Sequence, residues 1–238
     1  MKRRLLLLSN STNSGKNYLG WPEQYIKAFL KDSIKRILFI PWAGVTLEWD
    51  VYTKMVSERF QSMGYQVDAI HKQKDPIKAV LNAEAIMTGG GNTFNLVYHM
   101  HKSDIIASVQ EKITAGTPFI GWSAGSNVAC PTLMTTNDMP VIEPESFDTF
   151  NLVPFQINPH YTELTLKGHG GETREMRINE FIEINKEKTV VGLPEGSLIQ
   201  IEGNTMTMKG SGSLKIFRKG MSPKTAIPGD TLDWLLVS

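Results

Sequence analysis

The sequence predicts an α/β fold with a mostly parallel sheet, helices on both faces and a C-terminal end rich in β-hairpins. Up to about residue 122, short apolar runs alternate with amphipathic stretches, which is typical of repeated βα units. After Gly192 the runs shorten and are broken by Glu202-Gly203-Asn204 and by the glycines at 210 and 212, which favours antiparallel hairpins. No linker composition interrupts the chain, so we expect one domain over residues 1–238.

The predicted elements alternate from the N-terminus onward. The strands are the apolar runs RRLLLLSN, RILFIPWAG, YQVDAI, AIMTGG and TPFIGWS, and the helices are WPEQYIKAFLKD, EWDVYTKMVSERFQSMG, DPIKAVLNA and TFNLVYHMHKSDIIASVQEKITAG. A further strand, FQINPH, and a further helix, GGETREMRINEFIEIN, follow. Ligands of such sheets bind beyond the carboxyl ends of the strands, so functional residues are expected directly after strands.

Composition excludes several classes of function. The formal net charge is +1 without a run of like charges, which argues against a nucleic-acid or membrane-surface partner. The apolar run Leu5 to Leu8 is shorter than the roughly 7–15 residues of a signal-peptide core, and no segment approaches the ~20 residues of a membrane span. A single cysteine, Cys130, excludes a disulfide framework or a cysteine cluster for metal. We therefore expect a cytoplasmic protein without metal or cofactor.

A candidate nucleophile lies in the stretch FIGWSAGSNVACPT. Gly121, Ser123 and Gly125 form a G-x-S-x-G pattern between a predicted strand and a short helix, the setting of a nucleophile elbow. In such a turn the amide of Ala124, at the helix start, can point at a developing oxyanion. The alternative is an ordinary loop of small residues. Cys130 is expected to be a buried apolar residue, because serine already occupies the elbow.

Three glycines follow another predicted strand, in the sequence Gly89-Gly90-Gly91-Asn92. Their amides could form an oxyanion hole or an anion nest, and the alternative is a tight βα turn. Phe94 stands where a dinucleotide fingerprint needs glycine, so that interpretation fails. The loop SNSTNSGKN lacks the glycine and the Ser or Thr of a phosphate-binding P-loop, so it is rejected as well.

A serine nucleophile needs a base and a carboxylate that orients it. The favoured base is His160, because it ends the apolar run FQINPH and should lie at the carboxyl end of a strand; His169, in GHGG, is the weaker candidate. Asp138, in TTNDMP, and Glu195, in LPEGS, are both candidates for the carboxylate. The residues alone do not separate these two, and Pro-Glu-Gly is also good β-turn chemistry.

Arg174 is a candidate for binding an anionic ligand. It precedes the apolar stripe Ile178, Phe181, Ile182 at helical spacing and so points the same way. A cation in the first turn opposes the helix dipole, which suggests a carboxylate ligand. The alternative is pairing with a nearby glutamate.

Several motifs together resemble the peptidase E family of α-aspartyl dipeptidases. They are GGGNTF, GWSAGSNVACPT, TTNDMP, QINPH and GETRE, in this order, and the likeness extends from LLLLSNST through LPEG. The resemblance implies a serine peptidase on a flavodoxin-like fold, akin to class I glutamine amidotransferases. Those relatives carry cysteine at the elbow, where this chain has Ser123.

The resemblance also assigns roles to residues. It implies a triad of Ser123, Asp138 and His160, with Glu195 as the second choice for the acid, and an oxyanion hole at Gly90 and Ala124. Its substrate, a dipeptide with N-terminal aspartate, agrees with an inward Arg174, and we expect Asn92 and Glu195 to bind substrate too. A broader or cyanophycinase-like peptidase and a non-catalytic small-molecule binder are the alternatives. Nothing in the sequence indicates an oligomeric state.

Overall fold

The computed structural model describes residues 2–164, 168 and 170–237. Its strands are β1 (Arg4–Leu8), β2 (Arg36–Ile40), β3 (Gln66–Ala69), β4 (Ile86–Thr88), β5 (Pro118–Trp122), β6 (Gln156–Pro159), β7 (Val190–Leu193), β8 (Ser197–Glu202), β9 (Thr205–Gly210), β10 (Leu214–Phe217) and β11 (Lys224–Ala226). They form a seven-stranded sheet in the order β3-β2-β4-β5-β1-β8-β9 and a four-stranded sheet in the order β11-β10-β7-β6. We call these the main sheet and the second sheet.

The main sheet is parallel from β3 to β1 and antiparallel at β8 and β9. Leu5 to Leu8 of the interior strand β1 are fully buried, as a strand covered on both faces requires. The α/β prediction is therefore confirmed, and so is the hairpin between β8 and β9 around Gly203.

The helices are α1 (Glu23–Leu30), α2 (Trp49–Gln61), α3 (Pro76–Asn82), α4 (Thr93–Lys102), α5 (Ile106–Thr114), α6 (Ala124–Asn127) and α7 (Arg174–Ile184). Helices α1 and α2 pack on one face of the main sheet, and α3, α4 and α5 pack on the other. The prediction of one helix over TFNLVYHMHKSDIIASVQEKITAG is wrong, because Asp104 takes a left-handed φ of 50° and ends the regular winding. Within the described residues, no helix has the length and apolar character needed to cross a membrane.

The second sheet begins with a parallel pair. The pattern after Gly192 predicts antiparallel hairpins only, but β7, which contains Gly192, does not pair with the next strand β8. It pairs in parallel with β6, in a register that places Pro159 opposite Leu193, and antiparallel with β10. The reason is the long connection through α7, which returns the chain to the same edge of the sheet. Consequently the carboxyl ends of β6 and β7 lie side by side, and the residues that follow each strand are neighbours.

The two sheets share one hydrophobic core. Ile157 and Val191 of the second sheet pack in the same buried cluster as Leu5, Leu7 and Ile199 of the main sheet. Helix α7 covers the outer face of the second sheet with an apolar stripe that includes Ile178 and Ile182. The common core fixes the end of β6 beside the end of β5, where the elbow begins.

The turn from β5 to α6 leaves no room for side chains. A Cβ added to Gly121 would lie 2.3 Å from the carbonyl oxygen of Gly125, and one added to Gly125 would lie 2.0 Å from the carbonyl oxygen of Thr88. These are backbone contacts that no rotamer change can relieve. The G-x-S-x-G pattern is therefore a packing requirement of this strand–helix junction.

We predict that Gly125→Ala lowers the free energy of unfolding by about 3 kcal/mol, since the added methyl overpacks a rigid backbone junction. Gly170→Ala is the matched control, because a Cβ at Gly170 meets no atom of the described residues within 4 Å. The control should change stability by no more than about 0.5 kcal/mol. Urea denaturation followed by circular dichroism measures both values, and equal midpoints for the two variants would contradict the prediction.

Candidate active site

Ser123 stands in a strained turn at the carboxyl end of β5. Its φ of 54° and ψ of −116° are unusual for a residue with a side chain. The backbone N–H of Ser123 donates to the carbonyl of Leu8 over 3.1 Å, which anchors the turn to β1. Its Oγ lies 2.9 Å from Nε2 of His160. The predicted nucleophile and the predicted base therefore form a hydrogen bond.

His160 follows β6 and makes three hydrogen bonds, of which the one to Ser123 is given above. Its own φ is 54°, and its backbone N–H donates to Oγ of Ser9 over 2.9 Å. Its Nδ1 lies 2.7 Å from Oε1 of Glu195. An ionised carboxylate only accepts hydrogen bonds, so Nδ1 carries the proton and Nε2 is left as the acceptor for the hydroxyl of Ser123. This tautomer is the one that a general base requires.

The expected contact between Asp138 and His160 is not present. Oδ2 of Asp138 instead accepts from the backbone N–H of Thr93 (2.7 Å), from Oγ1 of Thr93 (2.6 Å) and from Oγ1 of Thr136 (3.0 Å). The carboxylate thus sits on the first turn of α4, where free N–H groups and the helix dipole favour a negative charge. Of the two carboxylates left open by the sequence, it is Glu195 that contacts the imidazole.

The two candidate oxyanion residues lie against the elbow. A Cβ added to Gly90 would be 3.0 Å from Cβ of Ser123, so the glycine turn packs directly on the serine. Ala124 is the first residue of α6, a position whose N–H has no acceptor inside the helix. Gly90 and Ala124 are thus both next to Ser123, and their role as donors remains a prediction.

Asn92 has a structural task in addition to any contact with substrate. Its Oδ1 accepts from the backbone N–H of Asn95 (3.1 Å), which caps α4, and its Nδ2 donates to the carbonyl of Met139 (2.8 Å). The side chain therefore ties the loop that carries Asp138 to the start of α4. Substrate binding by Asn92 stays a prediction.

Arg174 begins α7 and is half-buried, as its predicted inward orientation requires. Its Nη1 donates to Oδ1 of Asn137 over 2.6 Å. Burial lowers the pKa of Arg174, Arg177 acts in the same direction, and Asp138 opposes both. A guanidinium nevertheless stays protonated.

Asn137 connects this arginine to the base. Besides accepting from Arg174, its Oδ1 accepts from Nδ2 of Asn158 (2.8 Å), and its own Nδ2 donates to the carbonyl of Pro159 (2.7 Å). Pro159 directly precedes His160. The arginine and the imidazole are therefore positioned by one continuous set of hydrogen bonds.

The remaining sequence candidates do not enter this arrangement. His169, the alternative base, lies outside the described residues. Cys130 is fully buried, its Sγ accepts from the backbone N–H of Ile157 over 3.1 Å, and burial raises the pKa of the thiol far above its usual range. It is not a nucleophile at neutral pH. In the part of the chain that the structure describes, no group of three or more His, Cys, Asp or Glu side chains could hold a metal ion.

Two residues of the site were missed at the sequence level. Ser9 accepts from the N–H of His160 and donates to the carbonyl of Leu193 over 2.8 Å. It directly follows β1, so the rule that ligand-site residues follow strands could have identified it. Asn137 precedes Asp138 in the motif TTNDMP, where the carboxylate is the more obvious candidate for catalysis.

The chain is similar to known peptidases over nearly its whole length. The chain is 49% identical over 236 residues to peptidase E of Nostoc sp. strain PCC 7120, a match that covers 99% of this chain and 98% of the relative. It is 44% identical over 216 residues to peptidase E of Escherichia coli O6:K15:H31, covering 91% and 94% of the two chains. A crystal structure of a peptidase from an acI-B1 actinobacterium shares the fold, with a TM-score of 0.71 at 16% identity over 98% of this chain and 97% of that one.

The family assignment follows from the extent of these matches. The sequence profile of peptidase family S51 matches residues 5–209, a range that begins in β1 and ends in β9. Both strands that end at the serine and the histidine lie inside it. The chain belongs to peptidase family S51 and is a serine peptidase.

Proposed function

We propose that this peptidase hydrolyses dipeptides with an N-terminal aspartate, using Ser123 as the nucleophile, His160 as the general base and Glu195 as the carboxylate that orients the base. The observation that carries the proposal is the chain of two hydrogen bonds, 2.9 Å from Ser123 to His160 and 2.7 Å from His160 to Glu195. Nucleophile, base and orienting group in hydrogen-bond contact are the signature of an activated serine. A cytoplasmic location, where small peptides are recycled, is part of the proposal.

The proposed reaction is acyl transfer. Oγ of Ser123 attacks the carbonyl carbon after the aspartyl residue while Nε2 of His160 takes the hydroxyl proton. The backbone amides of Ala124 and the glycine turn stabilise the oxyanion, and one such donor contributes roughly 3–4 kcal/mol in serine peptidases. His160 then returns the proton to the leaving amine, and water, activated by the same imidazole, releases aspartate from the serine ester.

Arg174 supplies the proposed specificity. A guanidinium can bind the β-carboxylate of an N-terminal aspartate through two parallel hydrogen bonds. Support comes from its half-buried position and from Asn137, which holds both Arg174 and the residue before His160. We propose that Asp138 acts indirectly, by holding the loop that presents Asn137 against the start of α4.

The test of the proposed function is a panel of dipeptides, Asp-Leu against Glu-Leu, Asn-Leu and Ala-Leu, with the parent enzyme and with Ser123→Ala. We predict cleavage of Asp-Leu alone and a loss of at least ~10³-fold in Ser123→Ala, because the nucleophile is removed. Mass spectrometry after treatment with a fluorophosphonate should place the label on Ser123. Equal cleavage of all four peptides would indicate a broader peptidase, and an unlabelled, inactive parent would indicate a non-catalytic binder.

Glu195 and Asp138 can be separated by their amide variants. Loss of the carboxylate that fixes a histidine tautomer costs up to about 10⁴-fold in rate, and the exposure of Glu195 should reduce this to about 10²–10³-fold in kcat. Asp138→Asn should cost about tenfold, because its amide oxygen can still accept from Thr93. The measurement is kcat for Asp-Leu, with thermal unfolding to verify folding. The opposite ranking would make Asp138 the orienting residue, as the family resemblance implies.

Arg174→Met tests the substrate assignment. Loss of a desolvated charge pair is worth roughly 2–5 kcal/mol, so kcat/KM for Asp-Leu should fall about 30-fold or more. Any slow hydrolysis of Asn-Leu, which lacks the charge, should change little, and Arg174→Lys should restore only part of the loss. Arg177→Met is the matched control, because Arg177 is exposed and pairs with Glu172. Equal proportional losses on both peptides would show that Arg174 is structural.

A further inference from the structure

A buried tyrosine lies behind the glycine turn. Tyr52, on α2, is 4% exposed, and its ring packs edge-on against Phe39 with the ring centroids 5.2 Å apart. Its hydroxyl lies 3.0 Å from the carbonyl oxygen of Gly90 and 3.1 Å from Nε1 of Trp122. One hydroxyl therefore joins the glycine turn to the residue that directly precedes Ser123.

The chemistry of the two partners fixes the direction of both bonds. An indole N–H can only donate and a carbonyl can only accept, so the Tyr52 hydroxyl accepts from Trp122 and donates its one proton to Gly90. Burial raises the pKa of Tyr52 to about 12. The hydroxyl consequently keeps its proton, and the bond to Gly90 persists, across the pH range in which a histidine base works.

The bond to the Gly90 carbonyl determines where the next N–H points. The structure has no cis peptide bond among its described residues, so the C=O of Gly90 and the N–H of Gly91 point in opposite directions across one planar unit. Because the C=O points to the hydroxyl of Tyr52, the N–H of Gly91 points away from it. That N–H has no backbone acceptor among the described residues.

Gly91 itself is held in an orientation that only glycine tolerates. Its φ is 135°, and a Cβ there would lie 2.3 Å from the carbonyl oxygen of Ala43. Glycine has wider backbone freedom than any other residue, so the orientation of each peptide in this turn depends on its hydrogen bonds. The N–H of Asn92 fixes the Gly91–Asn92 peptide by donating to the carbonyl of Ala43 over 2.8 Å, and the hydroxyl of Tyr52 fixes the Gly90–Gly91 peptide.

We propose that Tyr52 is a positioning residue that orients the Gly90–Gly91 peptide, so that the N–H of Gly91 joins that of Ala124 in binding the oxyanion at Ser123. The inference rests on the proposed function, because it requires acyl transfer at Ser123. It adds to that proposal a specific oxyanion donor, the N–H of Gly91, in place of the N–H of Gly90 that the family resemblance implies. It also gives a role in the reaction to Tyr52, which lies on α2, a helix with no other residue in the site as described above.

The experiment compares Tyr52→Phe with a matched control, Tyr65→Phe. Tyr65 belongs to the same buried cluster as Tyr52, but it directly precedes β3, at the amino ends of the parallel strands and so at the opposite edge of the sheet from the site. Each variant removes one phenol oxygen from this cluster, but only the Tyr52 hydroxyl is bonded to the glycine turn. Assays are run well below the unfolding temperature of each variant.

Two readouts separate positioning from general damage. The first is the division between kcat and KM for Asp-Leu, and the second is the rate at which a fluorophosphonate, whose P=O occupies the same hole, labels Ser123. Removal of one oxyanion donor lowers kcat by about 10²–10³-fold. A donor that is present but no longer held in the right orientation should therefore lower kcat and the labelling rate by about 10–100-fold. KM should stay within about twofold, because substrate binding in the ground state is unaffected. Tyr65→Phe should match the parent, because its hydroxyl lies at the opposite edge of the sheet from the glycine turn.

Several outcomes would overturn the inference. They are unchanged kcat and labelling rate in Tyr52→Phe, equal losses in both tyrosine variants, or a loss confined to KM. If Tyr52→Phe does not fold, the double variant Tyr52→Phe/Trp122→Phe replaces it, because that variant leaves no buried indole N–H without an acceptor. It is compared with Trp122→Phe alone, and its kcat and labelling rate should again be about 10–100-fold lower. A parent that is labelled at Ser123 but does not cleave Asp-Leu would refute the proposed substrate, while the labelling rates would still decide the role of Tyr52.

Discussion

The hydroxyl of Ser9 is the contact on which the assembly of the site depends. Ser9 follows β1, an interior strand of the main sheet, yet both hydrogen bonds of its hydroxyl go to the second sheet, to the N–H of His160 and to the C=O of Leu193. Those two groups stand at the carboxyl ends of β6 and β7, and Glu195 follows only two residues after Leu193. A single buried hydroxyl thus places the imidazole and its carboxylate at a fixed distance from the serine of the main sheet.

The strained residues of the site are held in place by the structure around them. Ser123 and His160 both take positive φ values, and each is anchored by a hydrogen bond from its own N–H to a buried acceptor. Such conformations cost of order 1–3 kcal/mol each and persist only where neighbouring structure enforces them. The close glycine contacts beneath the elbow and the shared core between the sheets supply that enforcement.

Local patterns predicted the fold and half of the site. The parallel strands followed from apolar runs between amphipathic stretches, and Ser123 and His160 followed from their places at strand ends. The carboxylate did not follow, because Asp138 and Glu195 are equivalent as residue types and differ only in what the fold places beside them. The parallel pairing of β7 with β6, which the hairpin pattern failed to predict, is what brings Glu195 to His160. Tyr52 gave no signal at all, since an aromatic residue at a helical core position is normally read as packing.

The division of the site between two sheets has a consequence for how this protein can lose its function. The serine belongs to one sheet, and the histidine and glutamate belong to the other, so hydrolysis reports how the sheets are docked as well as whether each is formed. A species with both sheets intact but slightly displaced would look native by circular dichroism and would still be inert. Inactivating substitutions should therefore also be found in the shared core, far from the bound substrate. A screen for activity would classify them as catalytic defects, although their cause is a change in how the two sheets pack together.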